Sequence, residues 1–309
     1  MKVIELAQPL VEDLGDLKSR EVDFIVVSGD LTDRGSPEGM ERAREFLSEL
    51  IKRCGLTAER CLLVPGNHDV NQKTTVYHYR AGVSAEGARA MPHVQQGAVY
   101  LIRDDDRYPT RFEEFRKCHH QLKQTEYPLR HQEQGLLLPF PEFGIEFLLL
   151  NSAWEVDEFY PKRCSINPEA LAHTLQNLGP PNGMLRMTVW HHAVSGNDKI
   201  QDEYYVSRLV AARFRVCLHG DVHEPRAALR NHLDPGKTIH VVGVGSFAAE
   251  AKDRPESVPR MYNLLEVNRD LSKIRVRVRK QERPNEAFKP FPIRETSPSE
   301  MCDWYDIVL

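Results

Sequence analysis

The six cysteines, at positions 54, 61, 118, 164, 217 and 302, form no C-x-x-C pair anywhere in the chain. That absence removes the spacing on which zinc ribbons and dithiol redox motifs depend. Cys61 and Cys217 fall inside apolar runs that read as buried strands, so they are expected to be reduced core thiols and not part of a disulfide frame. No apolar run approaches the roughly 18 residues of a membrane span, and no signal-peptide pattern opens the chain. A cytoplasmic protein without a membrane partner is therefore expected. A large charge of one sign is missing too. The net charge of −4 argues against wholesale nucleic-acid binding, although a local basic groove stays open. There is no internal repeat and no low-complexity tract. What remains is 309 residues, 41% hydrophobic and 28% charged, enough for one large α/β domain or two small ones.

The chemistry is concentrated where apolar runs stop. Cys61-Leu62-Leu63-Val64 leads to Gly66-Asn67-His68-Asp69, and Asp23-Phe24-Ile25-Val26-Val27-Ser28 leads to Gly29-Asp30-Leu31-Thr32-Asp33-Arg34-Gly35. Leu185–Trp190 runs into His191-His192, and Val216-Cys217-Leu218 into His219-Gly220-Asp221-Val222-His223. Strands that end in Asp, Asn and His gather ligands at one edge of an α/β sheet.

In this order the segments resemble the calcineurin-like metallophosphoesterase superfamily. Its usual elements are D-x-H, G-D-x-x-D, G-N-H-D, a lone His and G-H-x-H. The likeness spans roughly residues 1–280. It implies an α/β fold of two mixed β-sheets packed as a sandwich, flanked by helices, with the site at the strand ends. Two departures stand beside it. No D-x-H segment precedes Asp30, and Asp221 stands where G-H-x-H has its first His.

Helical spacing of Val3, Leu6, Leu10, Leu14 and Leu17 makes the N-terminus a helix. A second helix follows Ser36, its cap, with Pro37 in the first turn and Gly55 as the stop. The family's first strand, which ends in D-x-H, is therefore missing. Either the chain starts one strand late, which is the expectation, or another segment fills the gap. The phosphoesterase domain is expected over residues 1–281. Within it, residues 71–135 show no sheet pattern, and Phe112, Phe115, His119 and Leu122 predict a helical insertion over the site. There His119, His120 and His131 either contact substrate or lie exposed on helices. Thr238–Val244 reads as a strand, and Met261–Val267 with Ile274–Val278 as a hairpin. Lys273, Arg275, Arg277 and Arg279 alternate with apolar residues there, as a nucleic-acid face or, by preference, a solvated edge guarded by charge. Residues 282–309, rich in proline and without periodicity, read as a tail or linker.

The resemblance assigns roles. Asp30 would bridge two metal ions, and Asn67 and His191 would bind the second of them. His223 would bind the first. Asp221, an oxygen ligand in place of an imidazole, would shift preference towards harder ions such as Mn²⁺. His219 could substitute as a ligand but more simply ends its strand. The second metal thus keeps Asp30, Asn67, His191 and Asp221, while the first keeps only Asp30 and His223 and should be weak. One or two ions of Mn²⁺, Fe²⁺ or Zn²⁺ are expected per chain. His68 would face the scissile phosphate as acid catalyst, with Asp69 holding its tautomer. Arg34 and His192 would contact substrate, although a surface turn and simple packing explain them as well. The implied function is metal-dependent phosphoester hydrolysis, as a phosphodiesterase acting on a nucleotide or nucleic acid. The opposing reading is a catalytically impaired binding or scaffolding module.

Overall fold

The computed structural model describes residues 6–17, 21–194, 199–200, 204–222, 226–231, 238–247, 259–283, 286–297 and 300–309. Val3 of the first predicted helix and the ligand candidate His223 lie outside the described residues. Among those described, no helix is long and apolar enough to cross a membrane.

The chain opens with α1 (Ala7–Asp16), β1 (Ile25–Ser28), α2 (Pro37–Arg53) and β2 (Cys61–Val64). Ser36 caps α2, its hydroxyl accepting from the Gly39 amide at 3.1 Å. β1 and β2 pair in parallel, with Ser28 opposite Val64, so the turns after both strands open on the same edge. β2 has no polar side chain and is buried on both faces. Cys61 and Leu63 pack against α2, while Leu62 and Val64 face the other way into the central core.

Next come β3 (Tyr77–Tyr79), α3 (Ala85–Arg89), β4 (His93–Gln96), β5 (Val99–Arg103) and α4 (Glu113–Lys123). The helix that the spacing of Phe112 to Leu122 predicts is α4. The rest of residues 71–135 departs from a helical insertion, because β3, β5 and β4 form a small antiparallel sheet. These strands are three to five residues long, too short to show a period of two.

A mixed six-stranded sheet follows, from β6 (Gly135–Phe140), β7 (Ile145–Leu150), α5 (Pro168–Gln176), β8 (Leu185–Trp190), α6 (Tyr204–Ala211), β9 (Phe214–His219), β10 (Arg226–Asn231) and β11 (Thr238–Gly243). Its order is β10-β11-β9-β8-β7-β6, parallel at the centre and antiparallel at both edges. One face packs on α5 and α6 through Leu148, Leu150, Trp190 and Cys217. The other, through Phe147, Leu149, Val189 and Val216, meets β2 and the C-terminal strands.

Those strands are β12 (Arg260–Val267), β13 (Lys273–Gln281), β14 (Lys289–Pro290), β15 (Arg294–Ser297), β16 (Glu300–Cys302) and β17 (Trp304–Val308). β12 and β13 form the expected hairpin. The expectation of a tail or linker over 282–309 is corrected here. β17 pairs with β13 along Lys273 to Arg277, and Ile307 enters the central core beside Ile274 and Val276. The cation stripe is corrected with it. β13 lies inside its sheet, and its cations meet carboxylates: Lys273 and Arg275 pair with Asp306 at 2.6 and 2.9 Å, and Arg277 with Glu266 at 2.9 Å. Arg279 is buried against Asp13 of α1 and Asp303. A stripe neutralised in this way offers nucleic acid little attraction.

The layer facing the six-stranded sheet thus comes in two pieces, β1–β2 and β12–β13–β14–β17. α1 touches both. Ala7, Leu10 and Leu14 pack with Ile25, Leu50, Tyr262 and Leu264, and Asp13 joins Arg279 and the Tyr262 hydroxyl.

His119 and His131 are buried, contrary to the exposed helical histidines that were one reading of the insertion. Burial holds both imidazoles down to about 4. At His119 the Thr125 carbonyl offsets it only partly, and at His131 Arg111 and Arg103 add to it. The unfolded chain takes up these protons near pH 6.5, and the folded chain only near pH 4. Between those values the unfolded state binds more protons, so stability falls as pH falls. Each histidine should cost about 2 kcal/mol by pH 5. Urea unfolding at pH 7 and pH 5 checks this. His119→Gln should lose distinctly less stability across the interval than the natural chain, and equal losses would refute the assignment.

Candidate metal centre

The turns after β1, β2, β8 and β9 meet at one place. At the first, the backbone takes left-handed values at Gly29 (φ 92°) and Asp30 (φ 57°), so that Asp30 doubles back over the strand end. The glycines are obligatory here. A Cβ on Gly29 would strike Nδ1 of His191 and the Gly66 backbone, and one on Gly66 would strike the Asp30 carboxylate. Asp221 (φ 52°) is also left-handed, a conformation that short polar residues tolerate and that is concentrated at functional sites.

His191, only 2% exposed, is the centre of the arrangement. Its Nδ1 lies 2.6 Å from the carbonyl oxygen of Ser28, which can only accept, so Nδ1 carries a proton. Nε2 then faces three oxygens: Asn67 Oδ1 at 3.1 Å, Asp30 Oδ2 at 3.2 Å and Asp221 Oδ1 at 3.9 Å. Donor atoms about 2.1 Å from one ion at tetrahedral or octahedral angles stand about 3.0–3.4 Å apart. The first two spacings fall in that range, and Asp221, a quarter exposed on its side chain, needs only a small swing to join. One nitrogen, one amide oxygen and two carboxylates fit a divalent cation, and the Ser28 carbonyl is the outer partner such an imidazole requires. Electrostatics agrees. Burial pushes the Asp30 carboxyl up, but His191 and His68 outweigh it and bring it below the usual range. Burial likewise lowers His191, yet Asp30 and Asp221 raise it above the ordinary imidazole value. The negative charge converging on Nε2 calls for a cation there.

The structure therefore brings Asp30, Asn67, His191 and Asp221 together. The first-metal partner, His223, is outside the described residues, so only Asp30 of that second set is placed. His219 donates from Nδ1 to the Gly220 carbonyl at 2.7 Å and ends β9. His192 is as buried as His191. One of its ring nitrogens lies within 4.8 Å of a His191 nitrogen and an Asp221 oxygen.

His68 stands apart from the ligands. Its amide donates to Asp30 Oδ1 at 3.0 Å, and its side chain is 48% exposed. Its ring partner corrects the sequence expectation. Nδ1 lies 3.1 Å from Asp33 Oδ1, not against Asp69. Asp69 is fully buried and accepts from the amides of Gly66 at 2.8 Å and Thr32 at 3.0 Å, tying the two turns together. Burial and then the Asp30 charge push the Asp69 carboxyl up. Asp33, given no role on sequence, is the His68 partner that sequence reasoning missed. The signal was its place as the second Asp of the G-D-x-x-D turn. Arg34 is 69% exposed and has Asp33 as its charged neighbour at 3.8 Å.

Residues 5–225 match the profile of the calcineurin-like phosphoesterase family. A 58-residue stretch is 34% identical to an uncharacterised metallophosphoesterase-like protein of Bacillus subtilis (strain 168), covering 19% of this chain and 12% of that one. Another, of 61 residues, is 39% identical to a probable cyclic nucleotide phosphodiesterase of Synechococcus sp. (strain ATCC 27144 / PCC 6301 / SAUG 1402/1), covering 20% and 21%. Among solved structures, a purple acid phosphatase from yellow lupin (Lupinus luteus) seeds superposes with a TM-score of 0.49 at 11% identity, over 99% of this chain and 49% of that one. The chain thus spans about half of that structure and 12% and 21% of the two curated relatives' lengths.

Proposed function

The chain belongs to the calcineurin-like phosphoesterase family, and from that premise we propose that it is a metal-dependent phosphodiesterase acting on a nucleotide or nucleic-acid phosphodiester. The observation that carries this reading is the convergence of Asp30, Asn67 and Asp221 on Nε2 of His191, with His68 beside them and outside the ligand set. The diester lean is supported by the cyclic nucleotide phosphodiesterase name of one partial relative. The layered core between the six-stranded sheet and β2, β13 and β17 is read as the two-sheet sandwich of the family.

Asp30, Asn67, His191 and Asp221 would hold the cation, with Mn²⁺ favoured because three of four donors are oxygen. Such an ion supplies neutralisation of phosphoryl charge and activation of water. The rest falls to the chain. The His68 amide fixes one Asp30 oxygen, so the other stays aimed at His191. Asp33 accepts a hydrogen bond from His68 Nδ1, which leaves Nε2 to give a proton to the leaving oxygen. Asp69 keeps the turns after β1 and β2 in register with each other.

The deciding experiment measures metal content and activity together. Protein purified without chelator should carry nearer one than two transition-metal ions per chain by elemental analysis. With added Mn²⁺ it should hydrolyse bis-p-nitrophenyl phosphate, and chelation should abolish that activity. Two tightly held ions would overturn the ligand count. Retained phosphate binding without hydrolysis under Mn²⁺, Fe²⁺ or Zn²⁺ would favour the binding-module reading instead.

A further inference from the structure

Ser152 lies just past the end of β7 and is wholly buried. Its hydroxyl oxygen stands 3.2 Å from the amide nitrogen of His191, 3.1 Å from that of His192 and 2.8 Å from Nδ1 of the His192 ring. A serine hydroxyl has two acceptor lone pairs and one proton. The two amides can only donate, so they occupy both lone pairs. The hydroxyl proton is left for Nδ1, which must accept it. A neutral imidazole whose Nδ1 accepts carries its own proton on Nε2. Counting hydrogen bonds thus fixes the tautomer of His192.

Two consequences follow for adjacent histidines that the sequence alone does not distinguish. His191 donates its Nδ1 proton in a hydrogen bond to the Ser28 carbonyl and offers Nε2 as a ligand. His192 has Nδ1 engaged and Nε2 protonated, which leaves no lone pair for a cation. The rings meet edge to face with centroids 4.9 Å apart, so the second is held against the first without competing for the ion. The Trp190 indole locks the same segment by donating to the His192 carbonyl at 2.9 Å. His192 is 3% exposed, and one of its ring nitrogens lies in the cation cluster beside His191 and Asp221.

We propose that Ser152 is a positioning residue that locks His192 as the Nε2–H tautomer, and that this N–H donates a hydrogen bond to a non-bridging phosphoryl oxygen beside the cation. No bond is made or broken at His192. Its part is to bind and orient the oxyanion. The identity of that oxyanion rests on the phosphoester reading above, whereas the tautomer does not.

Histidine-selective ¹⁵N NMR of the metal-free protein reads the tautomer directly, the His192 signals being those missing in His192→Gln. The natural chain should show Nε2 protonated. Ser152→Ala should turn the pattern into a tautomer mixture, and Ser152→Thr should restore it. Inorganic phosphate is then titrated calorimetrically into Mn²⁺-loaded protein. His192→Phe should weaken phosphate roughly ten- to a hundredfold with manganese content unchanged, the scale of one hydrogen bond to a charged group. His192→Gln, which keeps an N–H donor, should recover part of the loss. A proton on Nδ1 in the natural chain, unchanged phosphate affinity in His192→Phe, or loss of manganese in that variant would each overturn the proposal. If all the expected results hold and no diester is hydrolysed, the phosphodiesterase reading fails and the role of Ser152 and His192 stands.

Discussion

His68→Ala should lower diester turnover roughly a hundred- to ten-thousandfold while leaving the bound-metal content of the protein intact. The physical ground is the separation between ring and ligands. The His68 ring is half exposed and turned to Asp33, while only its backbone amide touches Asp30. Truncating the side chain therefore removes a proton donor and spares the carboxylate geometry. Asp33→Asn should act in the same direction by a smaller factor, since an amide can still accept from Nδ1 but no longer balances a charged ring. Because Asp33 and His68 would work as one unit, the double variant should be little worse than His68→Ala alone. Activity under saturating Mn²⁺ and elemental analysis of each variant check these expectations. If His68→Ala strips the metal, the separation of roles in this turn is wrong.

Asp221→Ala should weaken the cation by more than the roughly 10–100-fold typical of an outer-shell change, and activity should fall with it. Two of the three oxygens around His191 Nε2 would remain, and nothing would replace the lost carboxylate charge. Asp221→His is the informative partner. It turns a set of three oxygens and one nitrogen into two and two, removes one negative charge, and should move preference from Mn²⁺ towards Zn²⁺. Competition between the two ions, followed by elemental analysis, reads this without any activity assay. An unchanged metal profile in Asp221→Ala would remove the residue from the site.

Much of the candidate site is legible in the order of residues. β2 is a continuous apolar run, and β7 and β8 are mostly apolar, because both of their faces are buried, and a run that must stop at a sheet edge marks where its polar turn lies. Gly29, Asp30, Gly66, Asn67, His191 and Asp221 all stand at such stops, so their convergence follows from parallel strands ending on one side. Other elements leave no such trace. β17 is five residues long behind a proline-rich stretch, and only its pairing with β13 and the burial of Ile307 make it a strand of the core. The cations of β13 look free in the sequence because Asp13, Glu266, Asp303 and Asp306, which neutralise them, mostly lie far along the chain.

The sequence by itself determined the class of fold and the ligand types, because strand periodicity, turn glycines and metal-seeking side chains are local properties. Only the tertiary structure decided which neighbours those side chains face. Asp69 lies next to His68 in the chain, yet its carboxylate turns inward to the amides of Gly66 and Thr32, and Asp33, thirty-five residues away, takes the ring. His191 and His192 differ in sequence by nothing but position. The Ser28 carbonyl on one and the Ser152 hydroxyl on the other give them opposite tautomers. Tautomer and partner are set by hydrogen bonds between strands, and those exist only once the sheets have assembled.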